Sequence, residues 1–166
     1  HGIFCSISWQ DAQEAPSFVP TPHSKALELL YRKFDELDVR MIHPLVLAYI
    51  GDTVYDLFVR TYLVMAYDVP VNQLHVKAIN FVRAKGQADT LRHIENFLTR
   101  EELDIVRRGR NAKPGTMPRN ATVADYRLAT GFESLLGYLY LTGKQERLFE
   151  ILDCILDSTE EGERDE

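Results

Sequence analysis

Cysteine is scarce in this chain: Cys5 and Cys154 are its only two thiols among 166 residues. So few, so far apart, exclude a disulfide framework and a cysteine-based zinc site, and they fit a reducing compartment. No apolar run reaches the length of a membrane span, and Arg60 interrupts the longest one. No basic segment followed by an apolar core opens the chain, so no standard secretory signal is expected. Alternation of apolar and polar residues, the mark of half-buried strands, is missing, and so is any internal repeat. His43, His75 and His93 show no metal-ligand spacing with one another and are read as structural or polar contacts. Neither Ser134 nor either cysteine has a base partner that the sequence reveals, so nucleophilic catalysis finds no support.

Positive charge is also in deficit, with 19 Lys and Arg against 25 Asp and Glu and a net charge of −6. That balance argues against nucleic acid until its distribution is considered. The segment from Asp157 to Glu166 holds six carboxylates against Arg164, so nearly all of the excess sits there and the body is close to neutral. From Arg107 to Arg119 there are five basic residues and no acid. A basic patch on a neutral body can bind phosphates.

What is present is apolar helix. The chain is 45% hydrophobic and 27% charged, ordinary for a single globular domain with a real core. Residues 1–23, with Pro16, Pro20 and Pro22, read as an irregular arm. Residues 24–37 read as a helix capped by Ser24, with Leu27, Leu30, Tyr31 and Phe34 as its stripe. Pro44 suits a first helical turn, and from there to about Tyr67 the sequence is apolar on nearly every face, so this helix is expected to be central and covered on all sides. Residues 72–97 look helical, with a break at Gly86; Thr99-Arg100-Glu101-Glu102 opens another helix, which stops near Gly109. A Pro- and Gly-containing loop follows over 111–120. Thr122 opens a helix to about Leu141, Gly143 breaks it, and 144–157 form the last helix. Residues 158–166 read as a disordered acidic tail. The fold class is all-α, with one domain over 24–157.

Two acids interrupt the apolar helices. Asp52 lies in Leu47-Ala48-Tyr49-Ile50-Gly51-Asp52, and Glu133 in Phe132-Glu133-Ser134-Leu135-Leu136-Gly137. An ionised carboxylate in apolar surroundings is costly unless paired or metal-bound. The ordinary alternative is a structural ion pair, with Arg60 or Arg127 as partner for Glu133, or tyrosine hydroxyls holding Asp52. Two carboxylates on facing helices suit Mg²⁺, which takes one or two protein carboxylates and keeps several waters. Such an ion binds a phosphate oxygen and activates water. Asp56, one turn from Asp52, is placed behind the site as a supporting group. Arg107, Arg108, Arg110, Asn111, Lys113 and Arg119 are the candidates for phosphate-backbone contacts, with Lys85 at the edge of that surface.

These pieces, with Phe81-Val82-Arg83-Ala84-Lys85 and Tyr126-Arg127, resemble the ribonuclease III catalytic domain, and more closely its short relative Mini-ribonuclease III, over roughly residues 40–155. Full-length ribonuclease III has an acid one turn before the Gly-Asp pair and another three residues before the catalytic Glu. Here those positions are Ala48 and Thr130. Mini-III proteins likewise keep only the Asp and the Glu.

The resemblance implies an all-helical endonuclease domain active as a homodimer. It implies Mg²⁺-dependent hydrolysis of double-stranded RNA that leaves 5′-phosphate ends, with Asp52 and Glu133 as catalytic and metal-binding residues. The implied task is maturation of the large-subunit ribosomal RNA precursor in a bacterial cytoplasm, favoured over a plastid. The residues after 157 are too few for a double-stranded RNA-binding domain, so the basic segment at 107–119 would carry much of the grip on RNA. One alternative is a non-catalytic protein of the same fold that binds structured RNA or ribosome precursors. Another is an unrelated helical interaction protein whose acids form structural ion pairs.

Overall fold

Every residue from Ala129 to Leu139 except Glu133 is buried, which makes the helix carrying them the axis of the molecule. The computed structural model describes residues 25, 29–30, 32–113 and 121–164, the side chains of 158–164 apart. The chain divides into two units, 1–32 and 33–166, and all elements named below belong to the second. The expected arm over 1–23 lies outside the described residues.

The described elements are α1 (Glu36–Met41), α2 (Pro44–Ala66), α3 (Val71–Val82), α4 (Ala84–Ile94), a 3₁₀ turn (Glu95–Phe97), α5 (Arg100–Asn111), α6 (Val123–Leu141) and α7 (Gln145–Arg164). No strand occurs among the described residues, in line with the all-α expectation. Helix α6 packs on α2, α4, α5 and α7. Its Phe132, Leu135, Leu136, Tyr138 and Leu139 meet Leu47, Tyr55, Val59 and Leu63 of α2, Leu91 and Ile94 of α4, Ile105 and Val106 of α5, and Ile151 and Ile155 of α7 in one core.

The covered central helix is therefore α6 and not, as the pattern predicts, α2. Along one side of α2, Val46, Tyr49, Leu57 and Val64 stand open, 51–76% exposed, with Met65 beside them. The spacing of three, eight and seven residues keeps them on a single stripe. Both helices are apolar all round, and composition alone does not say which of two such helices lies inside.

Local chemistry sets most ends. His43 caps α2: its Nδ1 accepts the Leu45 amide at 3.2 Å, and Pro44 occupies the first turn. Thr99 and Glu102 form a reciprocal capping box on α5. Glu102 is also clamped by Arg147 of α7 at 2.8 and 3.0 Å. Thr99→Ala removes one of these caps and is expected to lower stability by about 1 kcal/mol, read as a shift of the urea midpoint without a change in slope.

Three boundaries differ from the sequence pattern. The helix expected over 24–37 does not continue to 37: residues 32–35 are non-helical, and Asp35 instead caps α1, accepting the Leu37 amide at 2.9 Å. The break in 72–97 falls at Arg83, whose extended backbone separates α3 from α4, rather than at Gly86. Gly86 is needed for another reason, since a Cβ there would strike the Asn80 carbonyl as the chain folds back. Helix α5 runs through Gly109 to Asn111, because Gly109 is where α6 passes: its absent Cβ makes room for the Ser134 hydroxyl and the Gly131 backbone. Helix α7 extends to Arg164, beyond the expected end at 157; glutamate-rich sequence propagates helix well.

Candidate active site

Helices α2 and α6 meet backbone to backbone at Gly51 and Gly137. A Cβ on Gly51 would run into the carbonyl oxygen of Glu133, and a Cβ on Gly137 into that of Leu47. The Ser134 hydroxyl lies at the same crossing, 3.0 Å from the Pro44 carbonyl of α2. This backbone contact brings the residue after Gly51, Asp52, against Glu133. The two carboxyl groups are within hydrogen-bonding reach of each other.

The surroundings differ from the expected pair of buried acids. Glu133 is half-buried, but Asp52 is on the exposed edge of α2. Burial, then the charge of Asp52, pushes the Glu133 pKa up to about 8. Partial burial of the carboxyl, then the charge of Asp56, raises that of Asp52. At neutral pH the Glu133 carboxyl therefore retains its proton and donates it toward Asp52. Among the described residues no lysine or arginine forms an ion pair with either acid. Arg60, one candidate partner, is bound to Asp56 at 2.7 Å. Asp56 is held by Arg60, and its charge is felt at Asp52.

A cleft of about 640 Å³ opens beside Glu133, between the start of α4 and the first half of α6. Gln87, Lys85, Arg83, Tyr126 and Asp125 line it together with Glu133. Lys85 is bound to Asp89 at 2.7 Å, and Asp89 to Arg92, which reaches Asp125 at 3.0 Å. At Ala48 and Thr130 there are no acids to complete a larger carboxylate cluster. Thr130 bonds its own helix, at the Tyr126 carbonyl.

The basic run is helical where it is described. Arg107, Arg108, Arg110 and Asn111 lie on the last turns of α5, where cations complement the helix dipole. Arg107, Arg108 and Asn111 line a second hollow of about 360 Å³ with His43 and Pro44. Arg108 donates to the Ile42 carbonyl at 3.3 Å, and Arg107 to Asp104 at 2.9 Å. Arg110 and Lys113 are exposed. Exposed pairs such as Arg107–Asp104 are worth about 0–1 kcal/mol. Arg119 lies outside the described residues, as does the rest of the expected loop from 114 to 120. Two lining residues were not expected. His43 accepts through Nδ1, so its Nε2 carries a proton. Gln87 sits on the same stripe as Leu91 and Ile94, and a glutamine in an inner stripe is the signal that marks it.

The model of the Ribonuclease III domain matches residues 45–144. The chain is 46% identical to the Mini-ribonuclease 3 of Clostridium tetani over 82% of its own length and 91% of that protein. It is 51% identical to that of a Thermoanaerobacter species over 74% and 87%. The chain belongs to the ribonuclease III family. Within it, the chain groups with the Mini-ribonuclease 3 proteins and is an endoribonuclease. A crystal structure of a Fusobacterium nucleatum protein, 31% identical, superposes with a TM-score of 0.66 over 74% of this chain and 98% of that one. The ribonuclease III match spans both acids, the Gly51–Gly137 crossing and the basic end of α5. Among the described residues of this endoribonuclease, no helix is long and apolar enough to cross a membrane.

Proposed function

We propose that this endoribonuclease cuts double-stranded RNA as a homodimer, using Mg²⁺ held by Asp52 and Glu133. The carrying observation is the meeting of these two carboxyls across a backbone-to-backbone helix crossing. Burial and mutual proximity disfavour ionising both carboxyls together, and a bound cation would relieve that cost.

The donors fit that ion. Both are hard oxygen ligands, and no cluster of three or more His, Cys, Asp or Glu side chains is disposed for a metal among the described residues. Two carboxylates, with water and phosphate oxygens completing the shell, match the way magnesium is held and mismatch zinc. Magnesium there supplies Lewis-acid polarisation of a phosphoryl oxygen and activation of water. The chain's own part is to present both carboxylates from rigid helices and to grip the backbone. Asp52 and Glu133 fix the cleavage position. Arg107, Arg108, Arg110, Asn111, Lys113 and Arg119 bind phosphates further along the duplex, and Lys85 does so at the mouth of the cleft.

Hydrolysis leaves 5′-phosphate and 3′-hydroxyl ends, and two sites in a dimer cut both strands. The uncovered apolar stripe of α2 supports the dimer: it runs beside Asp52 and is of the kind that marks an interface. We assign the large-subunit ribosomal RNA precursor as substrate and the bacterial cytoplasm as compartment, on the strength of the bacterial relatives.

The test is incubation with a long RNA duplex, with Mg²⁺ or with chelator, beside Asp52→Asn. Mg²⁺-dependent shortening, reduced about 10³-fold in the variant, is the expected result. Intact duplex that still shifts on a native gel would point to an RNA-binding protein that does not cut.

A further inference from the structure

Among the described residues two buried side-chain polar atoms form no well-directed hydrogen bond, the Gln87 amide nitrogen and the Tyr55 hydroxyl. Gln87 lies next to the carboxylate pair. Tyr55 is one turn along α2 from Asp52, and its ring packs edge-on against Phe132, the neighbour of Glu133. Gln87 is 1% exposed, lines the cleft with Glu133, and lies against both carboxyl groups.

A buried amide donor left without a partner costs about 1–3 kcal/mol, and native folds rarely tolerate one without a reason. A glutamine kept for packing alone would turn its amide to a backbone carbonyl. This one instead faces two acids, within reach of both carboxyl groups. We propose that Gln87 is a positioning residue, whose side-chain amide donates to the ionised Glu133 carboxylate and holds it, with Asp52, in the orientation the cation requires. This rests on the reading that the two carboxylates bind the metal.

The residue type fits the task. An ammonium or guanidinium at this position would neutralise the pair and compete with the cation. An amide supplies a donor with no net charge, so the two carboxylates keep their attraction for the metal. Its place on the α4 inner stripe, between helices, makes it less mobile than any surface donor.

Gln87→Met keeps length and volume and removes the donor. Melting in chelator checks that the variant is folded before its metal affinity is read. Its Mn²⁺ affinity, measured by calorimetry or spin resonance without RNA, should weaken about 10–100-fold. Its kcat for duplex cleavage at fixed Mg²⁺ should fall by a similar factor, with KM little changed. Gln87→Leu serves if Gln87→Met does not fold. Wild-type Mn²⁺ affinity and wild-type kcat in either variant would overturn the proposal. Absence of Mn²⁺ binding in the wild type, or binding unchanged in Asp52→Asn, would overturn the metal-site reading itself and the Gln87 role with it.

Discussion

Gly51→Ala should separate the two catalytic helices. A Cβ at this position meets the Glu133 carbonyl itself. Backbone atoms of two packed helices cannot rotate aside as a side chain can, so α2 and α6 must part. Overpacking of a core costs about 1–3 kcal/mol when side chains can adjust, and this site belongs at or above the top of that range. The catalytic effect should be larger. Displacement of a reacting group by about 1 Å costs on the order of 10²-fold, and here one ligand moves relative to the other. Gly137→Ala, which meets the Leu47 carbonyl one turn away, should behave alike. Urea unfolding and single-turnover cleavage read the two consequences separately. Wild-type stability and rate in both variants would mean that the helices do not meet backbone to backbone.

Glu133→Gln should abolish cleavage and yet stabilise the metal-free protein at neutral to alkaline pH. Folding raises the Glu133 pKa from an ordinary 4.5 to about 8. The folded state thus binds a proton more tightly than the unfolded one. Its contribution is complete below about pH 4.5 and is lost as pH rises toward 8. A glutamine has no proton to lose, so the variant's advantage grows across that window and then levels off. A rise of this size corresponds to on the order of 3 kcal/mol once relaxation of the surroundings is allowed for. The check is a pair of melting curves in chelator at pH 5 and pH 8.5. The two proteins should differ at the higher pH far more than at the lower. Added Mg²⁺ should then raise the melting temperature of the wild type and leave that of Glu133→Gln nearly unmoved. Parallel curves for the two proteins at both pH values would remove the strained pair from the account.

How much of this was visible beforehand depended on whether a feature had a local cause. Pro44 at the start of α2, Thr99 with Glu102, and Thr122 at the head of α6 are local signals, and the helices begin there. Gly86 and Gly109 look like breaks in the sequence because glycine disfavours helix. Each is instead a place where another segment comes close, a reason that exists only in three dimensions. The same blindness reversed the roles of α2 and α6. Asp52 and Glu133 stood out because charge in an apolar run is conspicuous. Gln87 did not, because an uncharged polar residue in an amphipathic helix resembles surface. The basic residues were legible as a cluster, but their division between the end of α5 and the cleft beside α4 follows from how these helices flank α6.

The crossing of α2 and α6 also sets an order of events during synthesis. Ser134 and the Pro44 carbonyl it reaches are 90 positions apart. Contacts of that span form only after the intervening chain has closed on itself. A ribosome-bound chain that has released α2 but not α6 has one half of the carboxylate pair and no backbone against which Gly51 can dock. The carboxylate pair therefore cannot form until α6 has left the ribosome, so a cell making this enzyme beside its own structured RNA is not exposed to cleavage by chains shorter than that.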